Sequence, residues 1–132
     1  MFELMVEDTF AAAHQLKGYE GPCENLHGHT FKVQVTIESE KLQKVGFLTD
    51  FKEIKSALKE IIAEFDHQNL NELAYFKTEN PTSENLAKII FDKLEKNMPV
   101  KKVTVWESPT SSASYYKSKI PNPKSKQGMA SP

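Results

Sequence analysis

The sequence contains no arginine, and all 17 of its basic residues are lysine. Two-point guanidinium contacts to phosphate are therefore excluded, so any phosphate must be held by lysines, hydroxyls or backbone N–H groups. The 18 acidic residues leave a formal net charge of −1. This balance gives no electrostatic basis for nucleic acid as a main partner.

Cysteine is almost as scarce, since Cys23 is the only one in 132 residues. A single thiol excludes an internal disulfide framework and any metal site with several cysteine ligands. No apolar run approaches the roughly 18–20 residues of a membrane span. The N-terminus lacks the basic start and apolar core of a signal peptide. We therefore expect a cytoplasmic protein of one domain that does not enter a membrane.

Two stretches alternate between apolar and polar residues, as strands with one buried face do. In residues 2–14 the even positions are apolar except Asp8, and this face ends in His14. In residues 31–37 the odd positions are apolar. The glycines, proline and asparagine of residues 17–28 predict a loop between the two strands.

Two helices are predicted next. Asp50 is a good N-cap with Glu53 in the reciprocal capping position, and apolar residues from Phe51 to Phe65 recur at helical spacing. Thr82 or Ser83 can cap the second helix, which carries its own apolar face. The apolar residues of that face are Leu86, Ile89, Ile90 and Leu94.

Two further strands complete the pattern. Pro99 ends the second helix, Val103 and Val105 begin the inward face of a third strand, and residues 112–117 form a weaker fourth strand. This order predicts an α+β fold, with both helices on one face of an antiparallel sheet and the other face covered by oligomerisation. Residues 1–117 are predicted to form the domain, and the polar residues 118–132 a disordered tail.

Three of the four histidines are candidate metal ligands. His27 and His29 are two residues apart, so their side chains point to the same side of an extended chain. His14 lies beside them if the first two strands pair as an antiparallel hairpin. Three neutral imidazoles without a fourth protein ligand are typical of a catalytic zinc with an open position. The alternative is a set of hydrogen-bonded histidines without a metal.

Three further features suggest chemistry. Cys23 lies four residues before His27, where a nearby dication would lower the thiol pKa and make it a base or nucleophile; otherwise it is an inert buried cysteine. The Asp66–His67 pair suits a proton carrier, or an Asp that ends a helix beside a surface histidine. Glu107 has the inward parity of its strand, where it can accept two N–H bonds from a heterocycle, or it is simply exposed at the strand end.

Five motifs resemble the 6-pyruvoyltetrahydropterin synthase family, which includes the bacterial 6-carboxytetrahydropterin synthase of queuosine biosynthesis. They occur in the order and spacing of that family and span roughly residues 2–117. The motifs are Phe10–His14, Cys23–His29, Asp66–His67, Pro81–Asn85 and Trp106–Glu107.

The resemblance implies a T-fold, in which four-stranded antiparallel sheets with two helices assemble into a barrel-like trimer. Two trimers usually pair into a homo-hexamer with active sites at subunit interfaces. The resemblance also implies zinc bound by His14, His27 and His29. The implied activity is a lyase that converts 7,8-dihydroneopterin triphosphate to 6-carboxy-5,6,7,8-tetrahydropterin and releases acetaldehyde and triphosphate.

The same resemblance implies a role for each remaining candidate. Cys23 would be the thiol that abstracts a proton, and the Asp66–His67 pair a proton relay supplied across the subunit interface. Glu107 would anchor the pterin ring, and Thr82 and Ser83 would line its pocket.

The loop around Cys23 leaves the reaction open. Its three-residue spacing to His27 resembles the carboxy-forming branch, whereas the pyruvoyl-forming animal enzymes have a longer insertion. Glu24 resembles a branch that forms 6-hydroxymethyl-dihydropterin for folate synthesis, although it also suits an exposed loop acid. A non-catalytic zinc-binding or pterin-binding T-fold module is the alternative from a different functional class.

Overall fold

The computed structural model describes residues 1–18, 21, 25–44, 46 and 49–118. Two α-helices and five strands are found in this part of the chain, together with two short 3-10 turns between the helices. The strands are β1 (Phe2–His14), β2 (His27–Ser39), β3 (Gln68–Asn69), β4 (Val100–Ser108) and β5 (Ser111–Tyr115). The helices are α1 (Phe51–Ile62) and α2 (Ser83–Glu95).

The sheet confirms the α+β class but not the predicted four antiparallel strands. Its order is β3-β1-β2-β4-β5, and the additional strand β3 runs parallel to β1. In this pairing Gln68 lies opposite Ala12 and Asn69 opposite Ala13. A strand of two residues is too short to show the alternation by which the longer strands were predicted. The sheet is therefore mixed.

The hairpin of β1 and β2 determines where the histidines lie. The two strands pair in antiparallel register along their whole length, with His14 opposite His27 and Ala12 opposite His29. β2 begins at His27 instead of Phe31, so both histidines of the His-x-His motif belong to the strand. The shared inward parity is confirmed, because Phe10 and Phe31 are buried and their rings stack 5.0 Å apart.

The helix caps follow the sequence. Asp50 caps α1 by accepting a hydrogen bond from the backbone N–H of Lys52, and Thr82 caps α2 in the same way. Glu53, which was predicted as the reciprocal partner of Asp50 in this cap, accepts a hydrogen bond from the hydroxyl of Thr49. The predicted apolar face of α1 is corrected at Phe51, which is 50% exposed.

Both helices pack on one face of the sheet and share one core with it. That core includes Ile54 and Leu58 of α1, Leu86 and Ile90 of α2, and the inward valines of β2 and β4. The opposite sheet face is more polar. There Gln34 accepts a hydrogen bond from the indole N–H of Trp106, and the Lys32 ammonium lies 5.3 Å from the centre of the Trp106 ring.

Two parts of the sequence-based prediction cannot be compared with the structure. Residues 119–132 of the predicted tail lie outside the described residues, and so do Cys23 and Glu24. Within the part of the chain that the structure describes, no helix is both long and apolar enough to cross a membrane.

Candidate functional site

Three imidazole rings meet at the open end of the β1–β2 hairpin. The ring centre of His14 lies 4.7 Å from that of His27 and 5.2 Å from that of His29, and the rings of His27 and His29 are 4.7 Å apart. The antiparallel register produces this arrangement, because it places residues of matching inward parity side by side. The structure therefore brings together the three histidines predicted as metal ligands.

Backbone carbonyl groups orient two of the rings. The Nδ1 atom of His14 lies 2.7 Å from the carbonyl oxygen of Pro81, and Nδ1 of His27 lies 2.7 Å from that of Asn25. A carbonyl only accepts hydrogen bonds, so each Nδ1 carries the proton and donates. The neutral ring then presents the lone pair of Nε2, which is how metal-binding histidines are oriented by their outer contacts.

Glu107 joins the histidines from β4. One ligand atom from each of His14, His27, His29 and Glu107 can be chosen so that all lie within 4.8 Å of one another. Sequence reasoning assigned Glu107 to the pterin ring and missed this contact. The inward parity of Glu107 was visible in the sequence, but the pairing of Trp106 with Lys32, which brings β4 beside β2, was not.

Two buried imidazole nitrogens of the cluster have unmet bonding capacity that a metal ion would satisfy. The Nε2 atoms of His14 and His29 are buried and have no hydrogen-bond partner among the described residues. Burial lowers the pKa of His29 below its ordinary value, while the Glu107 carboxylate opposes the shift. A neutral imidazole with a free lone pair is the metal-binding form. The cluster has the donor set, orientation and unmet bonding capacity of a metal site.

A cavity of about 300 Å³ adjoins the cluster and is bordered by Thr82, Ser83 and Glu107. The structure thus gathers the three residues that were predicted to contact a pterin. The Thr82 oxygen accepts a hydrogen bond from the backbone N–H of Asn85, which leaves its hydroxyl proton to donate. The Ser83 hydroxyl is buried without a partner among the described residues, so it can bond to an occupant of the cavity.

The Asp66–His67 pair lies outside the metal cluster and is attached to β1. One Asp66 carboxylate oxygen accepts a hydrogen bond of 3.0 Å from the Ala11 N–H, and the other lies 3.0 Å from Nδ1 of His67. His67 is 82% exposed and has a left-handed backbone with φ of 59°. A non-glycine residue in this region is uncommon, and such residues concentrate at functional sites. His67 and His29 both border one shallow depression beside β1 and β2.

Replacing Asp66 with Asn is expected to reduce stability at neutral pH. The hydrogen bond from Ala11, followed by that from His67, lowers the pKa of Asp66 below its ordinary value of 3.8. A carboxylate with a lowered pKa stabilises the fold above its unfolded-state pKa, and this contribution is lost as pH falls through the folded-state value. The difference in urea midpoint between wild type and Asp66→Asn should therefore shrink below about pH 4. A difference that is constant with pH would contradict this expectation.

Comparison with known proteins gives consistent results. The family profile described as "6-pyruvoyl tetrahydropterin synthase" matches residues 3–118. The chain is 32% identical to 6-carboxy-5,6,7,8-tetrahydropterin synthase of Haemophilus influenzae, over 87% of this chain and 99% of that protein. It is 39% identical to dihydroneopterin monophosphate aldolase of Pyrococcus furiosus, over 75% of this chain and 83% of that protein.

A solved structure also resembles this fold. The 6-pyruvoyl tetrahydropterin synthase of Caenorhabditis elegans aligns with a TM-score of 0.80 and 30% sequence identity. The alignment covers 89% of this chain and 96% of the nematode chain.

Proposed function

Because the chain belongs to the 6-pyruvoyl tetrahydropterin synthase family, we propose that it is a 6-carboxy-5,6,7,8-tetrahydropterin synthase of the queuosine pathway. In this reaction 7,8-dihydroneopterin triphosphate and one water yield the carboxy pterin, acetaldehyde and triphosphate. The redox change is internal to the substrate, so no nicotinamide or flavin takes part. The observation that supports this proposal most strongly is the group of three histidines and Glu107 next to a cavity with an unpartnered hydroxyl.

We propose zinc as the ion held by His14, His27 and His29. Imidazole ligands suit zinc, copper, iron and nickel, and three protein ligands with an exchangeable position are typical of catalytic zinc. Zinc bound there supplies Lewis acidity to the hydroxyl groups of the substrate side chain. The burial of His14, which is 1% exposed, keeps its ring in the orientation set by Pro81.

The cavity residues are suited to hold the pterin ring. The Glu107 carboxylate can accept two parallel N–H bonds from the amidine-like edge of the ring. Ser83 and Thr82 can donate hydroxyl protons to ring acceptors, and both stay in place because they begin a capped helix. Together these groups orient the substrate side chain relative to the histidines.

Proton transfer is assigned to Cys23, His67 and Asp66. Cys23, as a thiolate, removes a proton from the substrate side chain, and His67 returns or relays protons while Asp66 orients its ring. A second copy of the chain supplies the Asp66–His67 pair in a homo-hexamer built from two trimers. The 82% exposure of the His67 side chain, which leaves it accessible to a neighbouring copy, supports such an assembly. The single cysteine supports a reducing compartment, and we place the protein in the cytoplasm.

A second candidate function is aldol cleavage of a dihydroneopterin phosphate to 6-hydroxymethyl-dihydropterin. It is favoured by the similarity to the Pyrococcus furiosus aldolase and by the presence of Glu24 directly after Cys23. Both reactions begin with a pterin that bears a hydroxylated side chain. Both cleave the bond between the first and second side-chain carbons. They differ in the fate of the first carbon, which becomes a carboxyl group with loss of triphosphate in one reaction and a hydroxymethyl group in the other.

Incubation with 7,8-dihydroneopterin triphosphate, followed by mass spectrometry, distinguishes these functions. The carboxy pterin together with acetaldehyde is expected from the zinc-loaded protein. A pyruvoyl or hydroxymethyl product would replace the proposed reaction with the corresponding alternative. The same incubation is made with 7,8-dihydroneopterin monophosphate. If neither compound reacts, the protein is instead a non-catalytic pterin-binding module.

A further inference from the structure

The Glu107 side chain borders the cavity and also contacts two of the histidines. Its side chain is 35% exposed and borders the cavity with Thr82 and Ser83. The same carboxylate lies 3.2 Å from Nε2 of His14 and 3.7 Å from Nε2 of His29. A residue that served only to anchor a ring in the cavity would not need to contact the histidines.

The contact with His14 requires a cation when the ring is neutral. Nδ1 of His14 donates its proton to the Pro81 carbonyl, so Nε2 presents a lone pair. The Glu107 oxygen also presents lone pairs, and Nε2 makes no hydrogen bond within the described part of the chain. Two acceptors that face each other at this distance repel unless a positive ion lies between them.

The distances also fit a shared ion. Zinc lies about 2.0–2.1 Å from nitrogen and about 2.0–2.2 Å from oxygen in tetrahedral sites, so two of its ligand atoms are about 3.3–3.5 Å apart. The 3.2 Å and 3.7 Å separations of Glu107 from the two histidines lie close to that range. The carboxylate is therefore placed to share an ion with His14 and His29, and the four ligand atoms of the whole cluster lie within 4.8 Å of one another.

We propose that Glu107 is an exchangeable fourth metal ligand, which binds the ion in the substrate-free protein and leaves it to bind the pterin ring. The inference rests on the proposed function for the metal and for the pterin. The free protein then has a closed four-ligand site, and entry of the ring opens one position for the substrate side chain. Since one carboxylate serves both partners, metal and ring oppose each other's binding by the same factor.

The first experiment measures zinc affinity by competition with a chromophoric chelator. Glu107→Gln should weaken zinc binding by about tenfold or more, since loss of even an outer contact costs a site about 10–100-fold. Glu107→Asp keeps the charge but shortens the side chain, and should also weaken binding. Glu84→Gln is the matched control, because Glu84 borders the same cavity but is not in the metal cluster. It should bind zinc as wild type does.

Two results would overturn this inference. Unchanged zinc affinity in Glu107→Gln shows that the carboxylate is not a ligand. Equal weakening in Glu107→Gln and Glu84→Gln, with Glu107→Asp at the wild-type value, shows that only the charge matters.

The second experiment adds 7,8-dihydropterin without a side chain at C6, which can occupy the ring site but offers no hydroxyl to the metal. It should lower the zinc affinity of wild type and of Glu84→Gln, and it should bind more tightly to the zinc-free protein. An unchanged or increased zinc affinity of wild type excludes the exchange. A wild-type protein that binds no zinc overturns the proposed function as well, whereas zinc binding and turnover with no effect at Glu107 overturn this inference alone.

Discussion

Replacing His27 with alanine is expected to weaken zinc binding by about a hundredfold or more and to reduce turnover by about a thousandfold or more, since bound metal contributes several kcal/mol to such reactions. His27 is the most suitable of the three ligands to replace. It is half-buried at the first residue of β2, so the fold should tolerate a smaller side chain. His14 is buried in the core, and its replacement would confound metal loss with unfolding. Zinc is measured by elemental analysis after dialysis, and turnover by product mass.

Cys23→Ala is the comparison for this experiment. Cys23 is proposed to act as a base and not as a ligand, so the variant should retain zinc while its turnover falls by about a hundredfold or more. Circular dichroism of both variants checks that the fold is kept. A wild-type zinc affinity of a folded His27→Ala protein would refute the three-histidine site, and full turnover of Cys23→Ala would refute the role of the thiol.

Replacing Phe31 with alanine is expected to destabilise the protein by about 3–5 kcal/mol, the usual cost of removing a buried phenylalanine. Phe31 is completely buried, and its ring stacks on Phe10. Its edges also support the metal cluster, with ring centres 5.4 Å from His14 and 5.5 Å from His29. Removal of the ring therefore leaves a cavity under both imidazoles, and zinc affinity should fall along with stability.

Phe51→Ala is the matched control for Phe31→Ala. Both remove a phenylalanine ring, but Phe51 is 50% exposed at the first residue of α1. The change should cost less than about 1 kcal/mol, since surface substitutions away from special features have small effects. Urea unfolding at one protein concentration measures both variants, because association changes the apparent stability. Equal losses in the two variants would contradict the core assignment of Phe31.

Much of the fold was predictable from local patterns. Alternation in residues 2–14 identified β1 and the inward position of His14, since a strand reverses its side-chain direction at each residue. Asp50 and Thr82 marked the start of the helices because their side chains can accept the free N–H groups of the first turn. The two-residue strand β3 and the exposure of Phe51 were not predictable in this way, since both depend on contacts far along the chain.

The candidate site was likewise predictable from the sequence only in part. The sequence by itself determined which residues share a face: His14 on β1, and His27 and His29 on β2, because strand periodicity is local. Only the tertiary structure decided what those faces meet. The Pro81 carbonyl that orients His14 is 67 residues away in the chain, and Glu107 comes from a strand paired across the sheet. Such contacts result from the pairing of β4 with β2 and from the approach of the segment before α2 to the end of β1, and no local period of the sequence encodes them.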